Sequence, residues 1–112
     1  MIVVEAALRV HDPARRDSLV AESAPIQEAT RSAEPGCLVY CFAADPVERD
    51  LIQVYELWTD DEALQQHFKH PNYTAMRTML NSAGLVSAIS RKHRVDATRP
   101  VYEGGVPIAG FD

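Results

Sequence analysis

Apolar and polar side chains alternate along the first ten residues of the chain. The apolar residues occupy every second position, namely Ile2, Val4, Ala6, Leu8 and Val10. A period of two predicts a β-strand with one fully apolar face. Asp12 and Pro13 follow as an N-cap and a first helical residue, which predicts a helix over residues 13–32.

The first predicted helix contains residues that disfavour a continuous helix. Glu22 and Ser23 interrupt its apolar stripe, and Pro25 lacks the backbone N–H that a helix interior requires. We therefore expect a kink or a break at residues 23–25. The segment Glu34-Pro35-Gly36 predicts the turn that ends this element.

Two further strands are predicted over residues 37–44 and 51–58. The polar segment 45–50 joins them, so the strands should pair antiparallel as a hairpin with a long loop. The segment Thr59-Asp60-Asp61-Glu62 is a capping box with Thr59 as the N-cap, which predicts that a second helix begins there.

The second helical region is predicted in two parts. Leu64, His67 and Phe68 share one face, His70-Pro71 breaks the helix, and apolar residues at spacings of three and four continue it to Gly84. A last strand is predicted over residues 85–95. Residues 98–112 are rich in Pro and Gly, which indicates an extended tail.

This order, β-α-β-β-α-β, predicts an α+β fold of the ferredoxin-like type, with an antiparallel sheet and helices on one face. We expect one domain over residues 1–97 and an extended C-terminal tail over 98–112. The strands at 37–44 and 51–58 are apolar on both faces, and helices can cover only one of them. A homodimer that packs sheet against sheet is the simplest cover for the other face.

Composition narrows the classes of partner. The net charge of −5 and the pI near 5.3 disfavour nucleic-acid binding, although residues 91–94 form a short basic run. No stretch is long and apolar enough to predict a membrane span or a secretion signal, so the expected location is the cytoplasm. Cys37 and Cys41 lie about 13 Å apart if residues 37–44 form a strand, too far for a disulfide between them.

His67 and Glu56 are the residues most suited to acid–base chemistry. His67 shares the apolar helix face and points at the sheet, while Glu56 lies within an apolar strand face, where burial would raise its pKa. A contact between the two is therefore expected, either as a catalytic pair or as a purely structural tie. His67 and His70 lack further ligands of the right spacing, so no metal site is predicted.

Several aromatic side chains could line a pocket for a flat ligand, although packing in a small core is the alternative. They are Tyr40, Tyr55, Trp58, Phe68 and Tyr73. The sequence lacks the glycine-rich, zinc-protease and serine-hydrolase motifs, which leaves nucleotide-binding, zinc-protease and serine-hydrolase functions without local support.

The segment from Val54 to His67, with Tyr55, Glu56, Trp58 and Ala63, resembles the antibiotic biosynthesis monooxygenase domain family, including its quinol-monooxygenase-like members. The sequence His70-Pro71-Asn72-Tyr73 and the Glu-Pro-Gly-Cys turn at 34–37 resemble it too.

This resemblance implies a dimeric α/β-barrel of two ferredoxin-like protomers that oxidises an aromatic quinol or anthrone-like molecule with O₂ and without a cofactor. His67 would be the base, Glu56 its orienting partner, and Trp58 and Tyr73 would line the pocket. Haem-degrading members of the family have other residues at their haem site, because this chain carries Ala7, His67 and Arg77 at those positions. The resemblance therefore does not favour haem degradation.

Two alternatives remain open at this stage. An isomerase branch of the family acts on small phosphorylated autoinducer-type sugars, for which Arg91 and His93 could bind the phosphate. A stress-related dimer that binds a ligand without turnover is the other alternative.

Overall fold

The computed structural model describes all 112 residues. The chain forms β1 (Ile2–Val10), α1 (Pro13–Ala33), β2 (Cys37–Ala44), β3 (Leu51–Trp58), α2 (Asp61–Lys69), α3 (Pro71–Ser82), β4 (Leu85–Arg94), β5 (Tyr102–Glu103) and β6 (Val106–Pro107).

The first four strands form one antiparallel sheet in the order β2-β3-β1-β4. The even-numbered residues of β3, such as Ile52 and Val54, are buried in one core with Leu19 of α1, Leu64 of α2 and Met76 of α3. All three helices thus cover the same face of the sheet. The predicted α+β, ferredoxin-like architecture is confirmed.

The first helix is continuous, so the expected break at residues 23–25 is wrong. Pro25 lies inside α1 and leaves the carbonyl of Ala21 without its usual N–H donor. Both Ala21 and Pro25 are exposed, so that carbonyl can be hydrated by solvent.

The buried face of α1 is largely polar because it contacts the backbone of an edge strand. The Gln27 side chain donates to the carbonyl of Phe42 and accepts from its N–H, both at 3.0 Å, and Arg31 Nε donates to the carbonyl of Tyr40 at 2.7 Å. These side chains satisfy three of the outward backbone groups of β2, where a further strand would otherwise pair. The interrupted apolar stripe is thus compatible with a long, well-packed helix.

Arg16 fixes the long loop between β2 and β3. Its Nη1 atom donates to the carbonyls of Asp45, Glu48 and Leu51 at 2.9, 2.7 and 3.1 Å, and the residue is 8% exposed. A planar cation with several donors suits a cluster of carbonyl oxygens.

The boundaries of α2 and α3 follow from their caps. Asp60, not the predicted Thr59, is the N-cap of α2, and its carboxylate accepts from the N–H of Ala63 at 2.8 Å. His70 ends α2 and caps α3 by accepting from the N–H of Asn72 at 3.0 Å. The predicted break therefore lies where expected, and Gly84, with a φ of +73°, follows the end of α3.

The segment after β4 contains a short hairpin, an element that the sequence pattern did not predict. Strands β5 and β6 pair across Gly104 and Gly105, whose φ values of +56° and +79° suit a tight two-residue turn. The apolar side chains of this segment are exposed. None of the helices is long and apolar enough to cross a membrane.

The sheet face away from the helices is uncovered within one chain. Tyr55 and Ile89 lie on this face and are 45% and 68% exposed. Val3, Ala7 and Leu57 lie on the same face, and the polar Glu5, Gln53 and Arg91 lie between these apolar side chains.

Candidate functional site

A cavity of about 490 Å³ lies between the covered face of the sheet and the helices α2 and α3. Of its 17 lining residues 12 are hydrophobic, which suits a small molecule that is mostly apolar. The polar lining residues include His67 on α2, Glu56 on β3 and Arg77 on α3.

His67 lies on the buried face of α2 and is only 2% exposed. Its Nδ1 atom lies 2.8 Å from Glu34 Oε1. Because a carboxylate can only accept, this contact places the imidazole proton on Nδ1 and leaves the lone pair on Nε2. Nε2 makes no hydrogen bond within the protein and is accessible, and His67 lines the cavity.

Burial lowers the pKa of His67, while the hydrogen bond and the negative charge of Glu34 act in the opposite direction. The imidazole is thus neutral at pH 7. A neutral imidazole with one nitrogen anchored and the other free has the arrangement of a general base.

Glu34 is the partner of His67, so the expected contact between His67 and Glu56 is wrong. Glu34 is the C-cap residue of α1 and is 7% exposed. Its second oxygen accepts from the Asn72 side chain at 3.2 Å, so both oxygens are fixed. His70 Nδ1 lies 3.9 Å from that oxygen, beyond hydrogen-bonding distance.

Gly36 allows the turn that carries Glu34 to approach α2 closely. A Cβ atom at this position would lie 2.3 Å from the Cβ of Ala63, and 3.0 Å from the Thr59 hydroxyl. The turn also binds the end of β3, since the N–H of Thr59 donates to the carbonyl of Gly36 at 3.0 Å. Any larger residue at position 36 would therefore push Glu34 away from His67.

Glu56 has a different partner and a different role in the cavity wall. Its Oε1 accepts from Trp58 Nε1 at 3.0 Å. Burial raises its pKa from the ordinary 4.5 to about 7, and the nearby negative charge of Glu34 adds to this rise, whereas the Trp58 bond opposes it. Glu56 can therefore donate or accept a proton near neutral pH.

Aromatic rings surround the imidazole. The ring centroid of Trp58 lies 4.5 Å from that of His67, and those of Tyr40 and Tyr73 lie 5.4 and 5.5 Å from it. Burial raises the pKa of the Tyr40 hydroxyl, as does the charge of Glu56, so this hydroxyl is protonated at neutral pH. Of these rings, those of Tyr40 and Tyr73 line the cavity, where they suit an aromatic ligand.

The structure brings together some of the predicted site residues and separates others. The cavity is lined by His67, Glu56, Tyr40, Phe68 and Tyr73. Trp58 does not line the cavity but packs against His67.

Tyr55 and Arg91 lie on the opposite face of the sheet, so neither can contact a ligand beside His67 in the same chain. Arg91 Nε donates to Glu5 Oε1 at 2.8 Å, and His93 Nε2 lies 3.8 Å from Glu5 Oε2. The phosphate site considered for Arg91 and His93 therefore faces away from the cavity.

Sequence reasoning missed four polar residues of the site. Glu34 was recognised only as part of a turn, Arg77 was considered only against haem-degrading relatives, and Asn81 and Ser90 of the cavity wall carried no motif. The helical spacing of Arg77 and Asn81 from Tyr73 could have placed them on one face. No group of three or more His, Cys, Asp or Glu side chains converges on one point.

Comparison with known proteins identifies one family. Residues 1–79 match the family model described as antibiotic biosynthesis monooxygenase. A Synechocystis protein of undescribed function is 35% identical over 72 residues, which cover 64% of this chain and 48% of that protein. The matched region thus spans about half the length of this curated relative.

Solved structures share the fold at low sequence identity. A candidate antibiotic biosynthesis monooxygenase from Deinococcus radiodurans is 20% identical with a TM-score of 0.76, covering 92% of this chain and 100% of that one. One from Caulobacter crescentus is 24% identical with a TM-score of 0.75, covering 88% and 90%. A variant of SnoaB, a cofactor-independent oxygenase from Streptomyces nogalater, is 18% identical with a TM-score of 0.66, covering 88% and 96%.

Proposed function

The chain belongs to the antibiotic biosynthesis monooxygenase family, and we propose that it oxidises a small aromatic quinol or anthrone-like molecule with O₂, without a cofactor. The observation that carries this proposal is the neutral His67, anchored through Nδ1 by Glu34 and open through Nε2 to a mostly apolar cavity. SnoaB, which has the same fold, is a cofactor-independent oxygenase.

The first step is removal of a substrate proton by His67. Nε2 accepts a proton from the phenolic hydroxyl or from the acidic carbon of the substrate, and Glu34 stabilises the imidazolium that forms. The resulting substrate anion is delocalised over its rings, and the aromatic cavity walls keep water away from it.

The substrate anion then supplies the electrons for reduction of O₂. For an anthrone, the methylene carbon becomes a carbonyl and loses four electrons, while O₂ accepts four. One oxygen atom enters the product and the other leaves as water, together with the two methylene hydrogens. His67 returns its proton to the departing oxygen, so the enzyme ends in its starting protonation state.

Oxygen consumption by the purified protein tests this function. We expect uptake above the rate of autoxidation with members of a panel of anthrones and hydroquinones, and one equivalent of O₂ consumed for each quinone formed. Uptake no faster than the protein-free rate across the panel would overturn the proposal.

A homodimer that packs the outer sheet faces together is part of the proposal. The exposed Tyr55 and Ile89 would be buried there, which would remove two large apolar side chains from water. The outer face also carries the Glu5–Arg91 ion pair and His93, which offer polar contacts within the interface.

We expect Ile89→Glu to produce monomers, because it places an unpaired charge within the apolar contact. Light scattering after gel filtration measures the mass at micromolar concentration. Gln65→Glu, which adds the same charge at an exposed position on α2, is the matched control and should remain dimeric. A monomeric parent protein would contradict the dimer.

A further inference from the structure

Polar groups line the cavity away from the groups that act in the proposed proton transfer. Arg77 and Asn81 lie one turn apart on α3, and Ser90 lines the same cavity from β4. Arg77 takes part in none of the ion pairs of the protein. All three residues are exposed at the open rim of the cavity, and their side chains make no hydrogen bonds within the chain, so water or a ligand can pair with them.

These groups are separated from the imidazole along α3. Tyr73 lies beside His67, with ring centroids 5.5 Å apart. Arg77 follows one turn later and Asn81 two turns later, and a helix rises 1.5 Å per residue, so the backbone of Asn81 lies about 12 Å beyond that of Tyr73. The cavity therefore has an acid–base end at His67 and a separate polar end at Arg77.

The acid–base end has its own unpartnered polar group. Tyr40 is 1% exposed and lines the cavity, and its hydroxyl makes no side-chain hydrogen bond within the protein, although this oxygen is not sealed from solvent. This hydroxyl can therefore donate a hydrogen bond to a ligand or to water in the cavity. Both ends of the cavity thus offer donors, while the wall between them is mainly apolar.

The polar end favours a negative charge. Helix α3 contains no acidic residue, so no carboxylate on the helix neutralises Arg77. A guanidinium can donate two parallel hydrogen bonds to a carboxylate, and the Asn81 amide and the Ser90 hydroxyl can donate further ones. One cation beside an apolar wall matches a single negative charge better than a doubly charged phosphate.

We infer that the substrate is an aromatic molecule bearing a carboxylate, bound by Arg77, Asn81 and Ser90 while its ionisable group lies beside His67. This inference rests on the proposed function for the identity of the reacting end. It assigns Arg77 as the residue that determines specificity at the other end.

Binding of a product-like pair tests this assignment without turnover. Anthraquinone-2-carboxylate and its carboxamide have nearly the same shape and differ in charge, and their affinities can be measured by calorimetry at pH 8. We expect the parent protein to bind the carboxylate about two- to fivefold more tightly, because Arg77 is exposed and solvent screens its attraction for a carboxylate. Arg77→Gln should remove this preference and leave the affinity for the carboxamide unchanged.

Arg49→Gln is the matched control, because it removes one exposed cation from the loop between β2 and β3 and lies outside the cavity. It should keep the preference, and Arg77→Lys should restore part of it. Three results would each overturn the inference. They are an equal loss of the carboxylate preference in Arg49→Gln and Arg77→Gln, equal affinities of the parent protein for the two compounds, and no binding of either compound to the parent.

The two proposals fail in different ways. A carboxylate preference that depends on Arg77, without any oxygen uptake, would retain the anion site and reject the monooxygenase. Oxygen uptake without a carboxylate preference would reject the anion site only.

Discussion

Replacing His67 with alanine is expected to lower kcat for oxygen uptake by about 10²- to 10⁴-fold, the usual contribution of a positioned general base. Glu34→Gln should lower it by about 10- to 100-fold, since the imidazole loses the group that orients it and stabilises its charged form. The structure places these two side chains 2.8 Å apart, so their effects should be less than additive in the double variant.

The pH dependence distinguishes catalysis from mere packing. The base form of His67 is the neutral one, and its pKa lies below the ordinary 6.5, so kcat/KM should fall only as the pH drops below that value. Glu34 raises the pKa of His67, and Glu34→Gln should therefore move this acid limb to lower pH. An unchanged profile in Glu34→Gln would argue against a role for Glu34 through His67.

Folding controls accompany these variants, because His67 packs against Trp58. His67→Gln retains more volume than alanine and should be as inactive, and circular dichroism reports whether each variant is folded. His11→Ala removes an exposed imidazole and should retain full activity. Full activity in both His67 variants would eliminate the imidazole as the base.

Replacing Glu56 with glutamine is expected to stabilise the protein, and increasingly so as the pH rises. The pKa of Glu56 is raised from 4.5 to about 7 by folding, so the native state favours the protonated carboxyl. The stability associated with this proton is present below pH 4.5 and is lost as the pH rises through about 7. A tenfold change in proton affinity corresponds to about 1.4 kcal/mol, so the total loss is about 3 kcal/mol.

Urea unfolding between pH 4 and pH 8.5, at one protein concentration, measures this effect. The difference in unfolding free energy between Glu56→Gln and the parent should grow between pH 4.5 and 7 and then level off. Glu28→Gln, which removes an exposed carboxylate from α1, should show no such growth. A pH-independent difference in Glu56→Gln would show that the carboxylate is not destabilised by burial.

The order of elements was predictable because short-range patterns determine it. Alternation in β1 and the break at His70-Pro71 are visible in the sequence, and the predicted strand 85–95 is observed as Leu85–Arg94. The continuity of α1 at Pro25 was not predictable in the same way, because it depends on which side of the helix faces solvent. The N-cap at Asp60 differs from the predicted Thr59 because several residues of that segment can cap.

The site was only partly predictable, because its central contact is long-range. Helical periodicity placed His67 on the buried face of α2, but its partner Glu34 is 33 positions earlier in the chain. Glu56 is the buried carboxylate nearest to His67 in the sequence, but it accepts a hydrogen bond from Trp58 instead. Tyr55 could have been excluded, since alternation puts it on the face opposite Glu56.

The cover that Gln27 and Arg31 provide for β2 limits how copies of this chain can associate through their sheets. Their side chains bond to the N–H and carbonyl of Phe42 and to the carbonyl of Tyr40, so an incoming strand would have to displace them in order to pair there. Strand β4 is the other edge. If a sheet can be extended from only one of its edges, it can pair with the sheet of one other copy and with no further one. Strand pairing therefore cannot propagate into a fibril.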